Sequence, residues 1–128
     1  MKILLDTHAL LWFALSDQQL SSTAVSLIMD PTNEIFVSPA TYWEIAIKIS
    51  MGKYSLAQPY EVFMSEAIDS NGFDYLHILP KHTAALAALP FHHKDPFDRL
   101  LVAQAKIEGL IIISNDTVLD KYGITRRW

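Results

Sequence analysis

The sequence predicts an α/β fold: one domain spanning residues 1–128, built on a parallel β-sheet with helices on both faces. Three observations lead there. Short apolar runs alternate with longer helical patterns, the order expected of strand–helix–strand units. The runs Ile3-Leu4-Leu5 and Leu110–Ser114 (LIIIS) are apolar almost throughout, which marks strands covered on both sides. A chain of 128 residues, 51% of them hydrophobic, can bury one sizeable core.

The elements follow in order. Lys2–Asp6 reads as the first strand and His8–Leu15 as a helix. Ser21 or Ser22 supplies an N-cap for a second helix running to Asp30, which Pro31-Thr32-Asn33 breaks. Glu34–Ser38 is the second strand. Pro39–Met51 is a helix with proline in its first turn, ended by Gly52. Pro59–Ser70 is another, ended by Asn71-Gly72. Tyr75–Leu79 is expected as the third strand and Lys81–Leu89 as a helix. The loop Pro90-Phe91-His92-His93-Lys94 leads into a helix over Pro96–Glu108, stopped by Gly109. Leu110–Ser114 is the fourth strand. A helical turn at Thr117–Lys121 and an edge strand at Ile124–Arg127 close the chain.

Composition excludes several classes. There is no cysteine, so disulfides and thiolate metal sites are ruled out. The longest apolar stretches fall well short of the roughly 20 residues of a membrane-spanning helix. Met1-Lys2 leads straight into the first strand without a basic leader, so no secretory signal is expected and a cytoplasmic location is. The net charge is -4 and the pI about 5.6, which argues against a basic nucleic-acid surface. An acidic chain can still handle phosphates through cations held by its carboxylates.

In open parallel sheets, ligands bind beyond the carboxyl ends of the strands, so acids at those ends carry weight. Asp6 follows the first strand; it either caps the next helix or works in a site. Glu44 shares a narrow polar stripe with Thr41 and Lys48 on an otherwise apolar helix. It is either a surface partner of Lys48 at i,i+4 or a group lining a cleft. Asp98 begins an apolar face with Leu101, Val102 and Ala105, so it should point inward. An unpaired buried carboxylate costs several kcal/mol, far more than the roughly 0.5–1 kcal/mol a helix N-terminus returns. A cation or donors must meet it, unless it only completes a cap with Asp95. Asp95, before Pro96, reads as the N-cap and as the rival to Asp98. Asp116 follows the fourth strand and could cap the next turn, serve a site, or both. His92 and His93 are adjacent, so in an extended loop their rings point apart, and no zinc-binding spacing is present.

If Asp6, Glu44, Asp98 and Asp116 converge, they form an all-oxygen cluster of the kind that selects Mg²⁺ or Mn²⁺. Such ions activate water and polarise phosphodiesters. Two rivals stand beside this reading. One is another Mg²⁺-dependent phosphate-ester hydrolase, although an aspartyl-nucleophile phosphatase would want an acid where His8 stands. The other is a non-enzymatic binding module whose acids are caps and surface pairs.

In this order, KILLDTHALLW, SPATYWEIAIK, DPFDRLLVAQA and IIISND resemble a PIN-domain nuclease and, more narrowly, a VapC-like toxin of a type II toxin–antitoxin pair. The resemblance covers essentially the whole chain. It implies a PIN-like parallel sheet and a Mg²⁺- or Mn²⁺-dependent endoribonuclease site. Asp6, Glu44, Asp98 and Asp116 fall on its four acids, with Asp98 rather than Asp95 as the third. It further implies an RNA substrate, a cognate antitoxin that blocks the site, and a homodimer. Lys48, Lys94, Arg99, Arg126 and Arg127 are candidates for phosphate contacts, though each reads more naturally as a solvated surface charge. Leu11, Trp12, Phe13 and Leu27 could belong to a partner surface, but read more naturally as core.

Overall fold

A computed structural model describes all 128 residues. Its centre is a five-stranded, all-parallel sheet in the order β3-β2-β1-β4-β5. The strands are β1 (Lys2–Leu5), β2 (Glu34–Val37), β3 (Asp74–Tyr75), β4 (Ile111–Ile113) and β5 (Arg126–Arg127). The helices are α1 (Thr7–Ala14), α2 (Ser22–Met29), α3 (Pro39–Ser50), α4 (Tyr60–Met64, continued by a π-turn over Ser65–Asp69), α5 (Pro80–Ala87) and α6 (Pro96–Glu108). A 3₁₀ segment, Thr117–Tyr122, precedes β5.

Strand periodicity divides the core into two layers. Successive side chains point to opposite faces of a sheet. Ile3, Leu5, Ile35, Val37 and Ile113 accordingly pack on one face, beneath α1, α2, α4 and its π-turn. Leu4 and Ile112 pack on the other, with Ala40, α5, α6 and the 3₁₀ segment. Leu11 lies in the first layer, and Trp12, Phe13 and Leu27 pack partly buried against it. Leu11 is thus core, and the other three border it.

Chain order reverses beside β1. The chain steps outward from β1 to β2 and β3, then returns to place β4 on the other side of β1. The carboxyl ends of β1 and β4 therefore flank a topological switch point, where an open α/β sheet forms its ligand crevice. The register Leu5↔Ile113 brings Asp6 and Ser114 to the same level, and the Asp6 N–H extends the ladder to the Ile113 carbonyl at 3.2 Å. At the far end of α6, Gly109 adopts φ 67°, a left-handed turn that suits glycine and feeds the chain directly into β4.

The third strand departs from expectation. Instead of Tyr75–Leu79, only Asp74–Tyr75 pair in the sheet. The Leu76 N–H still reaches the Val37 carbonyl at 2.8 Å. Beyond it the side chain of Gln104, buried on α6, donates to the carbonyls of Leu76 and His77 at 3.2 and 3.4 Å. A side-chain amide thus takes over from the ladder and turns the chain toward α5. That helix starts at Pro80, one residue earlier than expected, because His82 Nδ1 accepts the Leu79 N–H at 3.0 Å and caps it. The last strand is likewise shorter than Ile124–Arg127.

Replacing Gln104 by Leu removes the donor shared by the part-buried carbonyls of Leu76 and His77. The cost expected is about 0.5–1.5 kcal/mol. Urea denaturation measures it, and amide exchange of residues 76–79 should rise with it.

Candidate active site

At the carboxyl edge of the sheet lies a cleft of about 410 Å³ lined by Asp6, Thr7, His8, Glu44, Lys48, Asp95, Asp98, Asn115 and Asp116, with no apolar residue among them. All four acids singled out in the sequence meet here. They arrive from four places: the end of β1, the middle of α3, the first turn of α6, and the turn after β4.

Local structure fixes each one. Asp6 is the N-cap of α1, its Oδ1 accepting the Ala9 N–H at 2.8 Å, and it also lines the cleft. Capping the helix and lining the cleft are compatible at this position. Asp116 likewise caps the 3₁₀ segment through Val118 N at 3.0 Å. Ser114 sits between these two acids: its Oγ accepts the Asp116 N–H at 3.1 Å, and its hydroxyl interacts with Asp6. Glu44 is buried, its Oε1 accepting from Thr7 Oγ1 at 2.6 Å and its Oε2 meeting Lys48 Nζ at 3.2 Å. The i,i+4 pair with Lys48 therefore exists, but inside the cleft rather than on open surface. Asp95 is exposed, its Oδ1 accepting the Phe97 and Asp98 N–H groups at 2.9 and 3.0 Å. It caps α6 while touching the cleft rim. Asp98 turns inward, with 22% of its side chain exposed.

Electrostatics show how closely the acids crowd. Burial pushes the Asp98 carboxyl up to about 8, and the negative charges of Asp95, Asp6, Glu44 and Asp116 push in the same direction. Burial also raises Asp6 above the ordinary carboxylate range, against the opposing pull of Ser114, the Ala9 N–H and His8. Lys48 answers Glu44, but no salt bridge from lysine or arginine reaches Asp6, Asp98 or Asp116. Oxygen donors with uncompensated charge fit a hard divalent cation.

A family profile for the PIN domain matches residues 3–124. The chain belongs to the PIN-domain family. A relative from Mycobacterium tuberculosis, named ribonuclease VapC22, is 28% identical over 115 residues, which cover 89% of this chain and 86% of the relative. Among solved structures, VapBC2 from Rickettsia felis, bound to a DNA fragment from its promoter, aligns with a TM-score of 0.72 at 13% identity, over 99% of this chain and 98% of that one. VapBC-1 from nontypeable Haemophilus influenzae aligns at 0.67 and 16%, over 99% and 97%. At these identities the structures establish a shared fold. The PIN-like parallel sheet inferred from the motifs is thereby confirmed.

Some polar residues of this PIN domain lie where the sequence did not place them. Arg99, expected at the surface or on a phosphate, is buried at 6% exposure. Its guanidinium donates to the carbonyls of Pro90 (2.8 Å) and Leu89 (3.4 Å) and to the Tyr122 hydroxyl (3.2 Å), and it lies 4.0 Å from the Phe91 ring. It clamps the loop before α6, and its guanidinium is engaged within the protein. Arg126 is tied to Asp120 and to the Ser114 carbonyl; Lys94 and Arg127 are exposed. The rings of His92 and His93 do not diverge: both pack against Tyr122, at centroid distances of 4.8 and 5.4 Å. Thr7, Ser114, His93 and Tyr122 were not singled out as site residues. Thr7 and Ser114 had one available signal, since each adjoins a strand end next to an acid.

The folded chain keeps the Asp98 proton to about pH 8, whereas an unfolded aspartate releases it near 3.8. Between those values the folded state binds the extra proton, so stability falls as pH rises from about 4 to about 8 and levels beyond. Asp98→Asn should remove that slope. In cation-free protein the variant is expected to be more stable than wild type at about pH 8.5 by at least ~1 kcal/mol, less than one pKa unit's worth. The gain should vanish near pH 4, as urea denaturation at both values would show.

Proposed function

We propose that this chain is a VapC-like endoribonuclease, hydrolysing RNA phosphodiester bonds with Mg²⁺ or Mn²⁺, and the toxin of a toxin–antitoxin pair. The observation that carries the reading is the cleft itself: four carboxylates from four separate elements at the switch point, with too little positive charge to offset them. RNA is favoured over DNA by the relative named a ribonuclease. The antitoxin is favoured by the VapBC assemblies among the solved structures of the same fold. A homodimer and a cytoplasmic location belong to the same reading. No helix is long and apolar enough to cross a membrane.

Asp6, Glu44, Asp98 and Asp116 would hold the cation. When bound, it supplies Lewis-acid polarisation of the phosphodiester and of water. The chain's own part is positioning. The Ala9 N–H and the Ser114 hydroxyl hold the Asp6 carboxyl at the cleft wall. The Thr7 hydroxyl and Lys48 fix Glu44 from both sides. Ser114 sets the spacing of Asp6 and Asp116. A carboxylate oxygen of the cleft not engaged by the cation would accept a proton from the attacking water. That water's oxygen joins phosphorus, the P–O bond to the leaving ribose oxygen breaks, and a proton restores the hydroxyl.

Purified protein should cleave structured RNA with Mn²⁺ or Mg²⁺ present and stop when EDTA removes the ion. Asp6→Asn keeps the cap but loses a charge. It should weaken Mn²⁺ binding in calorimetry and slow cleavage about 100-fold or more, the scale of losing one electrostatic element of a site. A phosphomonoester cleaved in place of RNA would point to the other class of hydrolase. A wild type that binds no Mn²⁺ would point to a binding module.

A further inference from the structure

We propose that His93 is a positioning residue of the acid cleft, presenting an Nε2–H rather than a bare nitrogen to the carboxyl group of Asp98, in a tautomer fixed by Tyr122. The proposal deepens the reading of the cleft as a cation site and rests on it for its consequences, though not for the tautomer.

His93 lies in the loop between α5 and α6. Its Nδ1 is 2.7 Å from the Tyr122 hydroxyl oxygen. That oxygen also receives the Arg99 Nη1–H at 3.2 Å and the His93 backbone N–H at 3.3 Å. A hydroxyl has one proton and two lone pairs. Two N–H donors occupy the lone pairs, so the remaining hydrogen bond, to Nδ1, is one the hydroxyl donates. Nδ1 is the acceptor, and the neutral ring carries its proton on Nε2.

Nε2 is buried and has no hydrogen-bond partner. It faces Asp98 Oδ2 at 3.6 Å, in a side chain only 16% exposed. His93, Asp98 and Asp116 each offer an atom within 4.8 Å of the others. That spacing would suit a three-ligand cation site, but a nitrogen bearing a proton cannot ligate. It can donate. Closing the gap by about 0.5 Å makes a normal hydrogen bond to a carboxylate. When Asp98 is a carboxylate it would accept that bond on Oδ2, and Oδ1 would remain available to hold a cation. Partners of this kind orient metal ligands in many sites. Arg99 completes the device: with Tyr122 it anchors both the loop and the phenol oxygen that sets the tautomer.

Long-range ¹⁵N–¹H correlation on cation-free, ¹⁵N-labelled protein tests the tautomer directly, with His93→Gln giving the assignment. The proton should sit on Nε2 in wild type and lose that preference in Tyr122→Phe. A wild-type proton on Nδ1 overturns the proposal. Mn²⁺ titration then tests the consequence. His93→Gln places an amide N–H near the Nε2 position and should keep wild-type affinity. His93→Asn lacks the reach and should weaken binding about 10-fold or more. Equal affinities for the two variants, or imidazole nitrogen coupling in the electron paramagnetic resonance of Mn²⁺ bound to wild type, overturn it. If wild type binds no Mn²⁺, the cation-site reading fails, while the tautomer measurement still decides the state of His93.

Discussion

Carboxylates repel one another, and the repulsion grows where water is excluded. The chain gathers several of them at the reversal point of its sheet, and much of the surrounding structure serves to keep them there. Three of the acids, Asp6, Asp95 and Asp116, begin helical segments and take backbone N–H groups. Those bonds and the helix termini favour negative charge locally. Glu44 has no terminus to draw on and uses a hydroxyl and an ammonium group instead. Asp98 receives least of this support, and burial together with the charges of Asp95, Asp6, Glu44 and Asp116 drives it up to about 8. Capping and charge concentration are thus one arrangement seen from two sides.

The scaffold beneath is stiff where that matters. Ile3, Leu4 and Leu5 are fully buried, as are Ile112 and Ile113 on the adjacent strand. Interiors packed to this extent do not deform gradually, so Asp6 and Ser114 stay at the same level. On the opposite side Tyr122 joins the 3₁₀ segment to the loop before α6 through Arg99 and His93. Loops carrying half the cleft are therefore fastened to each other as well as to the sheet.

What was legible in the sequence followed from short-range physics. Apolar runs with no polar interruption marked the buried strands. Proline after a capping residue marked the starts of α3 and α6. Helix phase separated Asp98 from Asp95, because three or four residues suffice to show which way a side chain points. What escaped depended on partners far along the chain. Arg99 sits beside Asp98 and looked solvated, but its hydroxyl partner is Tyr122, 23 residues away. The third strand carried a strand-like pattern to Leu79, but its partner β2 ends at Val37, opposite Tyr75, and the carboxamide of Gln104, brought over by α6, takes the next two carbonyls. His92-His93 seemed to point apart because an extended backbone was assumed; one tyrosine ring gathers both.

Both flanks of the sheet end in strands of two residues, β3 and β5. Beyond β3, the Leu76 and His77 carbonyls are already taken, and β5 consists of two arginines. Neither border offers a run of open peptide groups onto which a visiting chain could zip as a sixth strand, a route by which sheets recruit partners and also aggregate. Short borders of this kind disfavour strand addition, which leaves the helical faces and loops as the surfaces open to recognition.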